Sequence, residues 1–294
     1  MGRALADAFP ICRETFAEAD AAIGEPLSRV IFDGPEDQLT LTENAQPAIL
    51  AVSIAAYRIL ASRGITPVWM AGHSLGEYSA NVAAGTFAFA DALRIVRRRG
   101  RYMQEAVPVG AGAMAAILGL DAEQVVQACE QAAQGDVVSA ANMNGPGQVV
   151  IAGSSDAVAR AGERAKALGA KRVLPLTVSA PFHCALMKPA EERLAPELRA
   201  LDVKNPRVPI VANVDAQPKR DARSAIEALV QQVSSPVRWE AVVRRLASEG
   251  VTTYVEVGPG TVLSGLVRKI QRGATVVNVG GPEDLEVVDS LQHV

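Results

Sequence analysis

The sequence predicts an α/β fold in which a large subdomain with a mainly parallel sheet carries an inserted, smaller βαββαβ subdomain. Three observations predict it. Short apolar runs alternate with longer stretches of helical periodicity, as in a parallel sheet covered on both faces. One such run, Val68-Trp69-Met70-Ala71, leads directly into Gly72-His73-Ser74-Leu75-Gly76 and then into a helix-like stretch. Between residues 113 and 178 the rhythm becomes strand, helix, two strands, helix and strand, which is the ferredoxin-like order.

Taken in order, helix is expected over 1–9 and again over 10–22, where Phe16, Ala19 and Ile23 share one side. A loop follows around Gly34-Pro35, and 48–61 reads as a strongly apolar helix. Beyond the Gly-x-Ser-x-Gly turn and its helix, a second helix spans 88–105 and is closed by Pro108. The small subdomain, 111–179, has strands at 114–118, 137–142, 148–152 and 172–178 and helices at 121–133 and 156–168. Turns at Gly145-Pro146-Gly147 and Gly169 punctuate it. The large subdomain, 1–110 and 180–294, resumes with helix 188–200, strand 208–213, helices 223–233 and 239–249, and strand 253–257. Gly258-Pro259-Gly260 then turns the chain into a last helix ending at Ile270.

Composition narrows the function classes. A hydrophobic content of 49% with a net charge of −3 describes a globular chain without a nucleic-acid footprint. With aromatics at only 4%, the core must be built from Ala, Val and Leu. No apolar run approaches the ~20 residues that cross a bilayer, and the N-terminus lacks signal-peptide architecture. Cys12, Cys129 and Cys184 lie far apart, which predicts free thiols in a reducing compartment, the cytoplasm. With three histidines and no ligand spacing, no metal site is expected.

Gly72–Gly76 has the pattern of the nucleophile elbow of α/β-hydrolase-like folds, a serine on a sharp strand-to-helix turn. Both flanking glycines are expected to be needed, because a side chain at either would clash. The plainer alternative is a structural serine in a tight turn. A serine hydroxyl is a weak nucleophile and needs a base. His73 adjoins it in the chain and should point away, and His293 sits one residue from the end. By elimination His183 is the candidate, just past the last predicted strand of the small subdomain; a hydrogen-bonded core histidine is the alternative. At about 100° per residue, Arg99 falls on the apolar stripe of Ala92, Ile95, Val96 and Met103, while Arg97, Arg98 and Arg101 face solvent. A guanidinium there needs an anion. An Asp or Glu bridge and a bidentate substrate carboxylate fit the spacing equally.

Longer motifs carry a resemblance. Gly72 to Ser79, Arg99-Gly100 with Met103 to Pro108, Ala141 to Gly153, Phe182 to Met187, Pro236-Val237-Arg238-Trp239 and Glu256 to Gly260 together resemble the malonyl-CoA:acyl carrier protein transacylases, nearly end to end. The resemblance implies that Ser74 takes up the malonyl group and that His183 is its base. Gln232 would hold the imidazole through its main-chain carbonyl, and Leu75 would supply an oxyanion-hole N–H. It also implies that Arg99 clamps the malonyl carboxylate and that Phe182 crowds an α-methyl branch, with Gln46 and Asn144 as further substrate-binding residues. Malonyl-CoA and phosphopantetheinylated acyl carrier protein would be the partners of a monomer that needs no cofactor. Lys166, Lys171, Arg172, Lys188 and Arg268 are candidates for a basic rim toward the acidic carrier.

In one respect the chain departs from the family. Its members begin with a strand and an FPGQGSQ loop whose glutamine gives a second oxyanion N–H, and this sequence lacks both. The expectation is a true start upstream of Met1. Losing such a donor typically lowers turnover ~10²–10³-fold. Two rivals share the residues: a serine esterase or thioesterase, which would need a third acidic group, and a shortened, non-catalytic paralogue.

Overall fold

The computed structural model describes residues 1–289. Among them, nine strands run in chain order as β1 (Met70–Ala71), β2 (Gly112–Leu118), β3 (Val138–Gly145), β4 (Gln148–Ser154), β5 (Arg172–Pro175), β6 (Ile210–Val211), β7 (Pro218–Lys219), β8 (Thr253–Val257) and β9 (Thr275–Val279). Strands β2–β5 form one antiparallel sheet in the order β3-β4-β2-β5, with the helices Ala122–Ala133 and Ser155–Ala167 between them. This is the ferredoxin-like arrangement expected. The first helix is fixed by a reciprocal cap, in which Asp121 accepts from the Gln124 N–H and the Gln124 side chain accepts from that of Asp121.

Strand alternation decides what each face of that sheet does. Ala115, Ile117, Val149 and Ile151 pack on the two helices through Val125, Ala128, Ala157 and Val158. Their neighbours Met114, Val150 and Ala152 point the other way and pack with Cys184, Phe182 and Leu186. The small subdomain thus presents an apolar wall to the segment that carries the histidine.

The large body differs from the single, mainly parallel sheet expected. β1 pairs in parallel with β6, β6 pairs antiparallel with β7, and β8 pairs in parallel only with β9. The parallel pairs β1–β6 and β8–β9 therefore stand in separate sheets, and β1 and β8 do not pair. Residues of both line one cavity of about 1250 Å³. Strand β6 is shorter than the predicted 208–213, because Asn213 leaves the ladder to bond the elbow. Strand β5 ends at Pro175, which has no N–H to give, and the chain beyond it, Leu176 and Val178, lines the cavity.

The core is dominated by the helix Thr42–Ser62, twelve of whose residues are buried. It begins six residues before the predicted 48, since Pro47 is tolerated inside it and is itself buried. By length and composition this helix could cross a bilayer, yet it packs against the helices Pro10–Ile23 and Phe89–Glu105 in the main apolar cluster. At its start the helix Phe89–Glu105 crosses closely: a Cβ on Gly100 would lie 2.5 Å from the Thr42 carbonyl oxygen. Only glycine permits that approach, which brings Gln46 beside Arg99. The helices Leu27–Asp33 and Glu36–Thr40, and strands β7 and β9, had no expected counterpart.

Candidate active site

Ser74 sits at the turn between β1 and the helix Leu75–Ala84, with φ 49° and ψ −106°. Such a backbone is strained for a residue with a Cβ, and strain of this kind gathers at functional turns. Only one of the two flanking glycines is required. A Cβ on Gly72 would be 2.0 Å from the Gly76 carbonyl carbon, whereas a Cβ on Gly76 would meet nothing within 4 Å. Gly72 must be bare because the backbone of Gly76 passes against it. Asn213 ties the turn down: its Oδ1 accepts from the Ser74 N–H at 2.7 Å and its Nδ2 donates to the Gly72 carbonyl at 2.7 Å.

His183, itself at φ 60° and buried, brings Nε2 to 2.7 Å from Ser74 Oγ. Its Nδ1 lies 3.0 Å from the Gln232 main-chain oxygen. A carbonyl can only accept, so Nδ1 carries the proton and Nε2 is free to accept from the serine hydroxyl. His73 faces away, as expected, bonding Asn144 Oδ1 at 2.8 Å and packing edge-on to Trp239. His293 lies outside the described residues.

Arg99 is 2% exposed. The stripe expected for it is real, since Ala92, Ile95, Val96 and Met103 are buried while Arg97 and Arg98 pair with Glu25 and Glu197. Its guanidinium meets neutral groups: Nη1 donates to Gln46 Oε1 at 2.7 Å, and Nη2 to Gln232 Oε1 at 3.0 Å and Ser74 Oγ at 3.1 Å. Its Nε has no partner. The expected alternative of an Asp or Glu ion pair is therefore not what the structure holds. A buried cation whose hydrogen-bond acceptors are all neutral, with the Tyr78 ring beside it and the Glu77 carboxyl reaching it only at longer range, stays costly by several kcal/mol until an anion joins it directly.

Burial first, and the positive Arg99 next, lower the His183 pKa from 6.5 to about 3, while the Gln232 carbonyl pulls it upward. Between those values the unfolded chain binds a proton here that the folded chain does not. The stability associated with this residue is therefore full above 6.5 and is lost as pH falls toward 3. NMR titration of the His183 ring is expected to show a neutral, Nδ1-protonated imidazole down to about pH 5. An inflection near 6.5 would contradict the burial and charge effects described.

Ser74, Leu75, Arg99, His183, Phe182, Gln46 and Asn144 all line the cavity, so the expected residues converge. Gln232 lies behind it, fully buried. Gln46 touches Arg99 and Asn144 touches His73, so each braces a neighbour. Leu75 opens its helix, where backbone N–H groups lack an intrahelical acceptor. Arg99 is the only Arg or Lys among the described lining residues. The basic rim fares differently. Lys166 and Lys188 are paired with Glu163 and Glu191, Arg268 donates to the Val276 carbonyl, and none of the five named cations lines the cavity.

Sequence reasoning missed two buried polar residues. Asn213 carries no recognisable signal. Glu77 lies inside the quoted motif, but nothing in the sequence connects it with Asn213 or Gln232, whose N–H groups its Oε2 accepts at 3.0 and 2.7 Å. Burial raises its pKa to about 7, against the lowering effect of those two hydrogen bonds.

Residues 1–288 match the acyl transferase domain family. The malonyl CoA-acyl carrier protein transacylase of Bacillus subtilis (strain 168) is 49% identical over 288 residues, 98% of this chain and 91% of that protein. The solved acyl carrier protein S-malonyltransferase of Vibrio cholerae O1 biovar eltor superposes with a TM-score of 0.96 at 47% identity, over 98% of this chain and 94% of that one. A malonyl-transacylase solved in complex with its holo type II PKS acyl-carrier protein gives a TM-score of 0.96 at 47% identity, over 100% of this chain and 95% of that one. With its elbow, its serine–histidine pair and its buried arginine built on that fold, the chain belongs to the acyl transferase domain family and, within it, to the malonyl-CoA:acyl carrier protein transacylases.

Proposed function

We propose that this chain transfers a malonyl group from malonyl-CoA to the phosphopantetheine thiol of acyl carrier protein, in fatty acid or polyketide biosynthesis, through a malonyl ester on Ser74. The observation that carries the reading is Arg99, buried, without an anionic partner, and 3.1 Å from the Ser74 hydroxyl. A thioester whose far end is a carboxylate fits that arrangement, because the acid would pair with the guanidinium while its carbonyl carbon lies at the serine.

The steps follow from the hydrogen bonds. His183 Nε2 takes the hydroxyl proton as Ser74 Oγ attacks the thioester carbon. The Leu75 N–H lies at the helix start, where it would stabilise the oxyanion. The C–S bond breaks and the CoA sulfur leaves with the proton from His183. The carrier thiol then gives its proton to His183 and attacks the serine ester, and the returning proton restores the Ser74 hydroxyl. Phe182 would disfavour an α-methyl branch, an effect of about 1–3 kcal/mol for one methyl. We place the chain in the cytoplasm, since Cys12, Cys129 and Cys184 are all free and buried.

The hydrolase rival lacks support at one atom: the acceptor of the His183 Nδ1 proton is a main-chain carbonyl rather than a third acid. Incubation with malonyl-CoA alone should give one malonyl adduct by intact mass and a single burst of CoA. Addition of holo acyl carrier protein should then restore turnover. Continuous CoA release without carrier would establish hydrolysis instead.

A further inference from the structure

Glu77 is 1% exposed and does not line the cavity, so it touches no substrate, yet it bonds Gln232 and Asn213, the two residues that reach Arg99, His183 and the Ser74 turn. Resting on the malonyl-transfer reading, we propose that Glu77 is a positioning residue. It sets the preference for a carboxylate-bearing acyl group by fixing which end of the Gln232 side-chain amide faces Arg99.

Donors and acceptors fix the orientation of that amide. Glu77 Oε2 accepts from Gln232 Nε2 at 2.7 Å, and the same Nε2 donates to the Ser74 carbonyl at 3.0 Å. An amide has one donating end and one accepting end. With two acceptors holding the nitrogen, the oxygen must turn the other way, and there it accepts from Arg99 Nη2 at 3.0 Å. Gln46 Oε1 meets the other terminal nitrogen at 2.7 Å, so two amide oxygens aim the guanidinium into the cavity. Were the Gln232 amide reversed, an NH₂ group would face a guanidinium that can only donate, and Arg99 would have to move. The second bond accepted by Glu77, from the Asn213 N–H at 3.0 Å, steadies the residue that clamps the elbow. Glu77 therefore links the carboxylate clamp to the nucleophile turn without being part of either.

The test compares wild type with Glu77→Gln, Glu77→Ala and Gln232→Leu, measuring kcat/KM for transfer of malonyl and of acetyl groups from CoA to holo acyl carrier protein. Acetyl transfer uses Ser74 and His183 but has no carboxylate for Arg99. Glu77→Gln keeps an oxygen able to take both donors, and both rates are expected to stay within about threefold of wild type. Glu77→Ala strands two buried N–H groups and leaves the amide nitrogen with the Ser74 carbonyl as its one remaining acceptor, lowering the malonyl-to-acetyl ratio by about 10–100-fold. Gln232→Leu leaves the main-chain carbonyl for His183 and should lower that ratio comparably. Equal loss of both activities in Glu77→Ala, an unchanged ratio in Gln232→Leu, or a Glu77→Gln as impaired as Glu77→Ala would each overturn the assignment. If Glu77→Ala does not fold, the other two variants decide. A wild-type protein that never loads malonyl would remove the functional reading and this inference together. Normal loading with unchanged ratios in the variants removes the inference alone.

Discussion

Ser74→Ala is expected to abolish the malonyl adduct and to lower transfer by on the order of 10⁶-fold, the loss typical when a nucleophile acting with a base is removed. Alanine is the informative replacement. It keeps the Cβ that makes φ 49° strained, so the elbow and its Asn213 clamp are unaltered and only the hydroxyl is lost. Intact mass after exposure to malonyl-CoA reads the outcome directly. An adduct persisting on the alanine variant would place the nucleophile elsewhere. The companion measurement is thermal stability, which should change little, because the Oγ lost bonds only His183 and Arg99 at the cavity surface.

Arg99→Ala should lower kcat/KM for malonyl transfer by about 10²–10³-fold, as expected when one partner of a buried charge pair with the substrate is removed. Acetyl transfer should fall by no more than about tenfold. The comparison matters because Arg99 also braces Gln46 and Gln232, so a structural role would depress both substrates alike. Arg99→Lys refines the result: it restores the charge but not the planar fork that spans two amide oxygens, and partial recovery is expected.

How much of this was legible in the chain depends on the distance over which each signal acts. The elbow was readable because strand, turn and helix are contiguous. The buried placement of Arg99 was readable because helical periodicity alone puts it beside Ile95, Val96 and Met103. His183 was reached by elimination among three histidines. The role of Gly76 was misjudged, because the clash belongs to Gly72 alone and depends on where a backbone four residues along comes to lie. Glu77 and Asn213 were missed for a different reason. Their partners lie 136 to 155 residues away, and no local pattern reports a pairing that exists only after the sheet and helices have assembled. The same holds for β6, whose predicted ladder was curtailed when Asn213 was diverted to the turn.

The depressed basicity of His183 has a thermodynamic corollary. Part of it arises from the positive Arg99 nearby, so an incoming carboxylate that neutralises the guanidinium makes proton capture by the imidazole easier. Linkage is reciprocal: a proton on the imidazole must strengthen the hold on the carboxylate by the same factor. A diacid therefore sharpens the base that acts on it, while a monoacid, leaving the cation bare, does not.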